Sequence, residues 1–507
     1  MNIYQLKSRL KELMSSKAMK TEFEHARFKG AVERWLRDHE GMLIEEVVPI
    51  VTNALKRNDI SQGIYDHVII DEYQDLTKCE QEMVELIWSG EGSLVVLGDD
   101  DQSIYSFRYN HPEGIKGFKK KHNEIEDIKI PENWRSGRDI VNVANIMMEE
   151  AGSDKEPMKP QNDFNGNTNL IFWRSVEEEI NGLTEYIKKY DEQDFLVLVP
   201  RKFIGYKLRD AIGEEARTEF NQEVLQHCII QERFTLGNLV ANPNNKVALR
   251  TWYGFRHDDS KYANGRNCDA YNKLRDNNNL NLELVKGISE EDINLKGKGQ
   301  KNINLRSQRL IKLLDIVPKG IKEKIEFLFG KHLFEITEEK YEKEKANLIK
   351  NDLNRLYSCA MEIKKRNKDI SLSKVLRKLR YRIVTRAPLI EEKENSRIRI
   401  MTLHSAKGLE SDVIILAGIA DQMIPGKSSN IEEQRRLLYV AITRAKKDLV
   451  ISWPQKVSMK KAKSNYIKVE KDNIYWDRDQ DNLYVRLSLT NLLPNGAIDI
   501  NRGDQLL

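Results

Sequence analysis

Two short apolar runs, each followed at once by acidic residues, most constrain how this chain can fold. The run His67-Val-Ile-Ile-Asp71 suits a buried strand, Leu94-Val-Val-Leu97 suits a second apolar strand, and residues 76–89 between them suit a helix. Thr77 and Glu80 have the spacing of a capping box, which predicts where that helix begins. Strand, helix and strand in this order indicate an α/β fold with a parallel sheet. In such sheets, ligands bind at the carboxyl ends of the strands.

The same alternation returns after residue 131. Strands are predicted at 194–199, 398–403, 413–418 and 449–452, and helices from Arg138 and over 431–445. Residues 201–394 lack this alternation of strands and helices, because their pattern is mainly helical. Within them, the Asn/Gly-rich stretch 264–304 predicts a long loop. The sequence therefore predicts two α/β units, with a helical insertion that divides the second.

Charge and cysteine usage restrict the class of protein. The 507 residues include 83 Lys and Arg against 79 Asp and Glu, a net charge of +4, so any basic surface must be local. The four cysteines form no CxxC pair, which argues against a zinc site or a disulfide framework. The longest apolar run, 413–420, is too short for a membrane span. These features favour a cytoplasmic protein without a membrane partner.

Two stretches concentrate positive charge. Residues 364–386 contain ten Lys and Arg and one acidic residue, and residues 456–471 contain six lysines. Each is a candidate surface for a phosphate backbone. Each is equally compatible with a solvated helix face, and the sequence leaves both alternatives open.

Asp71 and Glu72 are adjacent carboxylates at the end of the first predicted strand. One carboxylate of such a pair can hold Mg²⁺, and its neighbour can take a proton from an attacking water. Adjacent acidic residues also occur in ordinary solvated turns, so the pair alone does not decide between a catalytic and a structural role.

Longer motifs follow in a fixed order. They are Asp71-Glu-Tyr-Gln-Asp75, Gly98-Asp-Asp-Asp-Gln-Ser-Ile-Tyr-Ser-Phe-Arg108, Asn133-Trp-Arg-Ser136, Thr402-Leu-His-Ser-Ala-Lys-Gly-Leu-Glu410 and Arg436-Leu-Leu-Tyr-Val-Ala-Ile-Thr-Arg-Ala445. Together they resemble the UvrD/Rep-like branch of superfamily 1 DNA helicases, over residues 67 to about 455. The resemblance implies two RecA-like units of the P-loop NTPase type, the first incomplete, with an α-helical insertion in the second.

The resemblance also implies a division of the chain into domains. The expected segments are a helical remnant of the first insertion (1–66), a partial first RecA-like domain (67–130), a second RecA-like domain (131–200 and 395–455), a mainly helical insertion (201–394) and a basic C-terminal tail (456–507).

Roles in ATP hydrolysis follow from the matched motifs. The resemblance implies that Asp71 holds Mg²⁺, that Glu72 activates water and that Gln102 senses the γ-phosphate. Arg135 and Arg444 match two arginine fingers, a task suited to a planar and permanently charged guanidinium.

Further residues match the nucleotide and DNA contacts of the family. Trp134 stands where an aromatic ring stacks on adenine, and Glu410 matches a contact to the ribose end of ATP. The residues that match DNA contacts are Tyr105, Phe107, Arg108, Thr402 and His404. Considered without their motifs, Trp134 and Phe107 would more often be core residues.

The resemblance implies ATP-driven 3′-to-5′ translocation on single-stranded DNA and unwinding of duplex DNA, with ATP and Mg²⁺ as cofactors and DNA repair as one setting. The family also needs a phosphate-binding loop, GxxxxGK[ST], and no such pattern precedes Asp71. Gly426-Lys427-Ser428 has only its last three positions. We therefore expect a truncated helicase, or a split enzyme to which a second polypeptide supplies the loop. The alternative is a catalytically inactive helicase-like module that binds DNA or a partner.

Overall fold

The computed structural model describes most of the chain, and its gaps include two of the predicted DNA-contact residues. The described residues are 29–30, 32–33, 36–37, 42–105, 110–122, 125–213, 215–218, 224–225, 227–254, 273–274, 277, 279–295, 297, 299–341, 343–384, 396–428, 430–465, 467–477, 479–494 and 496–503. Phe107 and Arg108 lie outside them, as do residues 1–28.

The chain divides into two compact units. One comprises residues 45–220 and 393–507 and is called the α/β unit; the other comprises residues 1–44 and 221–392 and is called the helical unit. The boundaries predicted from the family resemblance stay predictions, since this division groups residues by compactness and not by family.

The α/β unit begins with two parallel strands and three helices. In chain order these are α1 (Val47–Lys56), β1 (Tyr65–Ile70), α2 (Lys78–Ile87), β2 (Trp88–Val96) and α3 (Glu113–Lys121). The capping box of α2 is confirmed, because the Thr77 hydroxyl accepts from the Glu80 N–H and the Glu80 carboxylate accepts from the Thr77 N–H. The helix itself is shorter than predicted.

Strands β1 and β2 are covered on one face only. They pair in parallel with Ile69 opposite Val95. Val68 is buried, whereas Ile69 is 71% exposed and Val95 is 43% exposed. The prediction of a buried first strand is therefore wrong, because Val68 is its only buried residue. Side chains alternate between the two faces of a strand, and no element of the described chain covers the face that carries Ile69.

A second sheet has seven strands, all parallel. The elements that follow α3 are β3 (Glu132–Asn133), α4 (Arg138–Glu150), β4 (Lys159–Pro160), β5 (Asn167–Trp173), α5 (Val176–Lys189), β6 (Phe195–Val199), α6 (Lys202–Ile212) and β7 (Ala216–Thr218). After the helical unit come β8 (Ile398–Thr402), β9 (Ser411–Leu416), α15 (Ile431–Ile442) and β10 (Ala445–Pro454). With β14 (Ile500–Arg502) at one edge, the strand order is β14-β5-β10-β9-β6-β8-β7. The predicted α/β class with parallel sheets is confirmed.

The centre of this sheet is the core of the α/β unit. All five residues of β6, Phe195–Val199, are buried, as expected for a central strand of a parallel sheet with both faces covered. Burying one such side chain contributes about 1.5–3 kcal/mol. Strand β10 is longer than the predicted 449–452, because it also includes Ala445 and the polar residues 446–448 at its start and Trp453 and Pro454 at its end.

The helical unit has its own apolar core. Its helices are α7 (Cys228–Ala241), α8 (Lys246–Gly254), α9 (Leu282–Ser289), α10 (Gln300–Asp315), α11 (Ile321–Phe329), α12 (Leu333–Lys340), α13 (Lys343–Arg366) and α14 (Leu372–Val384). The predicted long loop at 264–304 is wrong where α9 forms and over 300–304, where α10 begins. The Asn281 side chain caps α9 by accepting from the Leu284 N–H at 2.8 Å, and Val285 and Ile288 are buried.

The segment predicted as a basic tail contains regular structure. Strands β11 (Lys456–Ser458), β12 (Ile474–Asp477) and β13 (Asn482–Arg486) form an antiparallel sheet in the order β11-β13-β12. Helix α16 (Met459–Ser464) lies between β11 and β12 in the sequence. Throughout the described ranges, no helix has the length and apolar character needed to cross a membrane.

Candidate functional site

The acidic pair lies directly after β1, in a turn with an unusual backbone. Glu72 has φ +54°, in the left-handed region that residues other than glycine seldom adopt. The Glu72 N–H donates to Asp71 Oδ1 at 2.8 Å. Gln74, which is buried, donates through Nε2 to Glu72 Oε2 at 2.6 Å. The turn thus orients both carboxylates at the carboxyl end of the strand.

Gln74 also connects this turn to the end of β2. Gln74 Oε1 accepts from the Asp99 N–H at 3.1 Å, and Asp99 Oδ2 accepts from Gln102 Nε2 at 2.9 Å. A continuous series of hydrogen bonds therefore links Glu72 to Gln102. The structure brings together these two residues, which the motifs predicted to activate water and to sense the γ-phosphate.

Lys407 lies among these groups, and the sequence reasoning gave it no role. Its Nζ is 3.0 Å from Glu72 Oε2 and 2.7 Å from Asp75 Oδ2, and it donates to the Gln102 carbonyl at 3.0 Å. The side chain is only 5% exposed. Its position inside the motif 402–410 was the one available signal; its partners, more than 300 residues away in sequence, could not be predicted.

Arg444 follows α15 and is buried. Its Nε donates to the Val440 carbonyl at 2.9 Å, and its Nη2 donates to Gln102 Oε1 at 3.1 Å and to Thr443 Oγ1 at 3.2 Å. Burial lowers the pKa of Arg444 to about 10, and the positive charge of Arg135 acts in the same direction. The guanidinium remains charged at neutral pH. A buried cation beside Gln102 suits an anionic ligand.

Arg135 and Glu410 form an ion pair near the same site. Arg135 Nε donates to Glu410 Oε2 at 2.8 Å, and Arg135 Nη1 donates to the Thr443 carbonyl at 3.3 Å. Lys446 Nζ lies 2.7 Å from Glu410 Oε1. The bonds from Lys446 and Arg135 hold the pKa of the Glu410 carboxyl below its ordinary value.

Trp134 precedes Arg135 and is 72% exposed. The alternative that this ring is an ordinary core residue is therefore wrong. An exposed indole next to an arginine can stack on a planar ligand.

The described residues of the DNA motifs also lie together. The Tyr105 hydroxyl donates to the His404 carbonyl at 3.2 Å, and Lys407 Nζ lies 5.8 Å from the centroid of the Tyr105 ring. Thr402, at the end of β8, shares a hydrogen bond of 3.0 Å with Ser405.

Lys155 forms a second cluster that sequence reasoning missed. Its Nζ is 2.5 Å from both Asp99 Oδ1 and Asp100 Oδ1 and 3.1 Å from Asp101 Oδ2, and Lys116 Nζ is 2.8 Å from Asp100 Oδ2. Although burial opposes the charge on Lys155, the three carboxylates raise its pKa. The three consecutive aspartates at 99–101 were the available signal, but they could not show which cation would pair with them.

The side chains of this site can be compared with those that proteins use to bind Mg²⁺ and a nucleotide. In the part of the chain that the structure describes, no group of three or more His, Cys, Asp and Glu side chains could hold a metal ion. Protein-bound Mg²⁺ often has only one or two carboxylates and takes its other ligands from water and phosphate. Asp71 fits that mode, and Arg135 and Arg444 fit a polyphosphate.

Sequence comparisons identify the family of the chain. The profile of the UvrD/REP helicase N-terminal domain matches residues 9–123, and that of the UvrD-like helicase C-terminal domain matches residues 128–456. The fold and these matches define the class: an α/β protein that matches both the N-terminal and the C-terminal UvrD-like helicase domains. The chain belongs to the UvrD/Rep family of superfamily 1 helicases.

Curated relatives give the same result at low identity. The ATP-dependent DNA helicase Rep of Buchnera aphidicola (subsp. Schizaphis graminum) is 24% identical, with 88% of this chain and 72% of that protein covered. DNA helicase II of Haemophilus influenzae is 26% identical (78% and 56% covered), and the ATP-dependent DNA helicase PcrA of Staphylococcus aureus is 24% identical (83% and 60% covered). The chain thus spans less than two thirds of the length of the last two.

Proposed function

We propose that this protein takes part in ATP-driven 3′-to-5′ translocation on single-stranded DNA and in duplex unwinding, in the cytoplasm. The observation that carries the proposal is a set of contacts between the two family matches. Gln102 binds Arg444, and Glu72 binds Lys407. Residues of the N-terminal match therefore meet residues of the C-terminal match at one site. We interpret the two matches as two RecA-like units, the first incomplete.

Each residue of the site has a role in this proposal. Asp71 would hold Mg²⁺, which when bound neutralises phosphate charge and orients the nucleotide. Glu72 would accept a proton from the attacking water, and Gln102 would contact the γ-phosphate. Arg135 and Arg444 would stabilise the charge that develops on the phosphate.

The base and ribose would lie beside the phosphate groups. Trp134 has the exposed ring needed to stack on adenine. Glu410, already held by Arg135 and Lys446, would accept a hydrogen bond from the ribose.

DNA would bind through the second group of motif residues, namely Tyr105, Phe107, Arg108, Thr402 and His404. The bond between Tyr105 and the His404 carbonyl supports a shared surface. Lys407 contacts both Tyr105 and Glu72, so DNA bound at this surface would be coupled to the base that activates water.

A phosphate-binding loop is a further part of the proposal. A segment outside these 507 residues, on the same or on a second polypeptide, would supply it. The apolar face of β1 and β2, which no described element covers and on which Ile69 and Val95 are exposed, supports this idea. Parallel sheets are normally covered on both faces.

The proposal is tested on protein isolated from its own cells through a C-terminal affinity tag, so that any partner is retained. ATP hydrolysis is measured with and without a single-stranded oligonucleotide. We expect stimulation by DNA, and its loss in Glu72→Gln but not in the exposed control Glu82→Gln. Recombinant residues 1–507 alone should show negligible stimulation, because the phosphates are then poorly held.

Two results would contradict the proposal. DNA binding without stimulated hydrolysis in the natively isolated protein would favour the inactive helicase-like module. Robust hydrolysis by residues 1–507 alone, lost in Glu72→Gln, would show that no outside segment is required.

A further inference from the structure

Lys155 is a charged residue to which the proposed roles assign no task. It lies between α4 and β4, in the region that matches the C-terminal helicase domain. Its ammonium group is within 3.1 Å of the carboxylates of Asp99, Asp100 and Asp101, which belong to the region that matches the N-terminal domain. Asp100 is buried, and the other two aspartates are half-buried. Lys155 therefore joins the two matched regions close to Gln102.

The carboxylate of Asp99 is held through both of its oxygen atoms. Asp99 Oδ1 accepts from the Asp101 N–H at 3.1 Å and lies 2.5 Å from Lys155 Nζ. Asp99 Oδ2 accepts from Gln102 Nε2 at 2.9 Å. The Asp99 N–H, in turn, donates to the buried Gln74. Lys155 thus helps to fix one oxygen of Asp99, and the other oxygen is directed at Gln102.

The side-chain amide of Gln102 is bound at both ends. Its Nε2 donates to Asp99, and its Oε1 accepts from Arg444 Nη2 at 3.1 Å. An amide has donors at one end only, so rotating this amide by half a turn would place its oxygen against the carboxylate and its N–H groups against the guanidinium. Both contacts would be repulsive. The position of Asp99 therefore determines which end of the Gln102 amide faces Arg444.

Lys155 offsets a repulsion that would otherwise act on Asp99. Carboxylates in consecutive residues repel one another, more strongly where they are partly withdrawn from water. Lys116 Nζ lies 2.8 Å from Asp100 Oδ2, whereas Lys155 contacts all three carboxylates, including that of Asp99. Burial opposes the charge of Lys155, yet the carboxylates raise its pKa, so it stays charged at neutral pH. Without that charge, repulsion would move the Asp99 carboxylate away from its present position.

We propose that Lys155 is a positioning residue for ATP hydrolysis, which acts through Asp99 to orient the Gln102 amide. The inference rests on the proposed function, in which Gln102 contacts the γ-phosphate. Lys155 contacts the aspartates and needs no contact with the nucleotide, so its loss should slow the chemical step more than it weakens ATP binding. Because Lys155 and Asp99 come from different matched regions, Gln102 is oriented only when these regions are in contact.

The test compares Lys155→Met with a matched control, Lys159→Met. Lys159 is an exposed lysine that pairs with Glu156. Both variants are isolated from their own cells through the C-terminal tag, and DNA-stimulated hydrolysis is measured over a range of ATP concentrations. We expect kcat of Lys155→Met to fall roughly 10- to 100-fold, because a small misplacement of a catalytic group has an effect of this size. Its KM for ATP should change by less than about twofold, and Lys159→Met should behave like wild type.

A double-mutant cycle tests the route through Gln102. In the Gln102→Ala background no amide remains to be oriented, so Lys155→Met should reduce kcat by less than about twofold. A merely structural role of Lys155 would reduce kcat equally in both backgrounds. Hydrolysis of radiolabelled ATP detects the low rates of these variants, and circular dichroism establishes that the proteins compared are folded. Lys155→Gln, which keeps a polar side chain, repeats the comparison if Lys155→Met does not fold.

Three outcomes would overturn the inference. They are wild-type kcat in Lys155→Met, a rise in KM that accounts for the whole loss, and an equal loss of kcat with and without Gln102. Failure of the proposed function looks different, because wild type and Lys159→Met would then both lack DNA-stimulated hydrolysis, and the inference would fall with it.

Discussion

Arg444 shows how one residue can be costly for folding and still useful for chemistry. Its guanidinium is buried, which lowers its pKa to about 10, and it retains a hydrogen bond to Gln102. Burying a charge is unfavourable unless other groups compensate it. Such an arrangement is expected where the cation must meet an anionic ligand without first losing water.

We predict that Arg444→Lys reduces DNA-stimulated ATP hydrolysis of the natively isolated protein by roughly 10³-fold or more, the lower end of the contribution of an arginine finger. Lysine keeps the charge but lacks the planar group that reaches Gln102 and Thr443 together. Steady-state hydrolysis measures the effect, and the exposed Arg174→Lys serves as the control. Hydrolysis at the wild-type rate in Arg444→Lys would remove Arg444 from the catalytic group.

Lys407 gives a second prediction at this scale, which concerns stability. Lys407→Met removes the ammonium group that lies 2.7 Å from the partly buried Asp75 carboxylate, so the free energy of unfolding should fall by about 1–3 kcal/mol. Urea denaturation measures it. In a double-mutant cycle, Asp75→Asn should cost less in the Lys407→Met background than in wild type, because the two side chains interact. Strictly additive losses would show that the ion pair contributes nothing measurable.

Among the elements, the sheet of β1 and β2 is the one whose surroundings are incomplete in the described chain. Ile69 and Val95 are exposed neighbours on its uncovered face. We predict that Ile69→Ser/Val95→Ser changes the stability of residues 1–507 by no more than about 0.5 kcal/mol, as is usual for exposed positions. In the natively isolated protein, the same variant should lose DNA-stimulated hydrolysis, because the covering segment would dock less well.

The control for that prediction is Ile128→Ser/Ile130→Ser, which alters two other exposed isoleucines. It should affect neither stability nor hydrolysis. Large destabilisation of residues 1–507 by Ile69→Ser/Val95→Ser, or full hydrolysis in the native preparation, would show that no other segment covers this face.

Some elements could be predicted from sequence, and the reasons are physical. Strand β6 is a continuous apolar run buried on both faces, so composition alone identified it. Strand β5 begins Asn-Thr-Asn and β14 has three residues, so neither carries a recognisable pattern. The motifs located the candidate site, but the contacts of Lys155 and Lys407 depend on tertiary structure and could not be read from spacing.

Helix α5 contains a buried acid that should make stability depend on pH. Glu179 Oε1 accepts from the Gly418 N–H at 2.9 Å and from the Ser452 hydroxyl. Burial raises the pKa of Glu179 to about 7, from 4.5 for an ordinary glutamate. Between these pH values the folded protein holds a proton that the unfolded chain has released, so stability falls as pH rises.

We predict that Glu179→Gln removes this pH dependence. Relative to wild type, the variant should gain on the order of 2 kcal/mol in unfolding free energy between pH 5 and pH 8. Urea denaturation at several pH values measures the difference. Glu185→Gln, an exposed position on the same helix, should leave the wild-type pH profile unchanged. An identical pH profile in Glu179→Gln would mean that Glu179 is ionised in the folded protein at pH 5.

At the scale of the whole molecule, the chain has two separate apolar cores. One contains the central strands of the α/β unit, including Leu198, and the other contains the helices of the helical unit, including Leu356. A unit with its own core can in principle unfold as a cooperative body of its own. Apart from residues 1–44, the helical unit is a single continuous segment, residues 221–392. This segment lies between β7 and β8 in the sequence.

We therefore predict two transitions in calorimetric unfolding, each sensitive to a different core. Leu356→Ala, at a fully buried position, should cost about 2–5 kcal/mol and lower the transition temperature of the helical unit alone. Leu198→Ala should lower only the other transition. Each variant is the control for the other, since both remove the same atoms from a fully buried site. A single transition that shifts equally in both variants would show that the two cores unfold together as one cooperative structure.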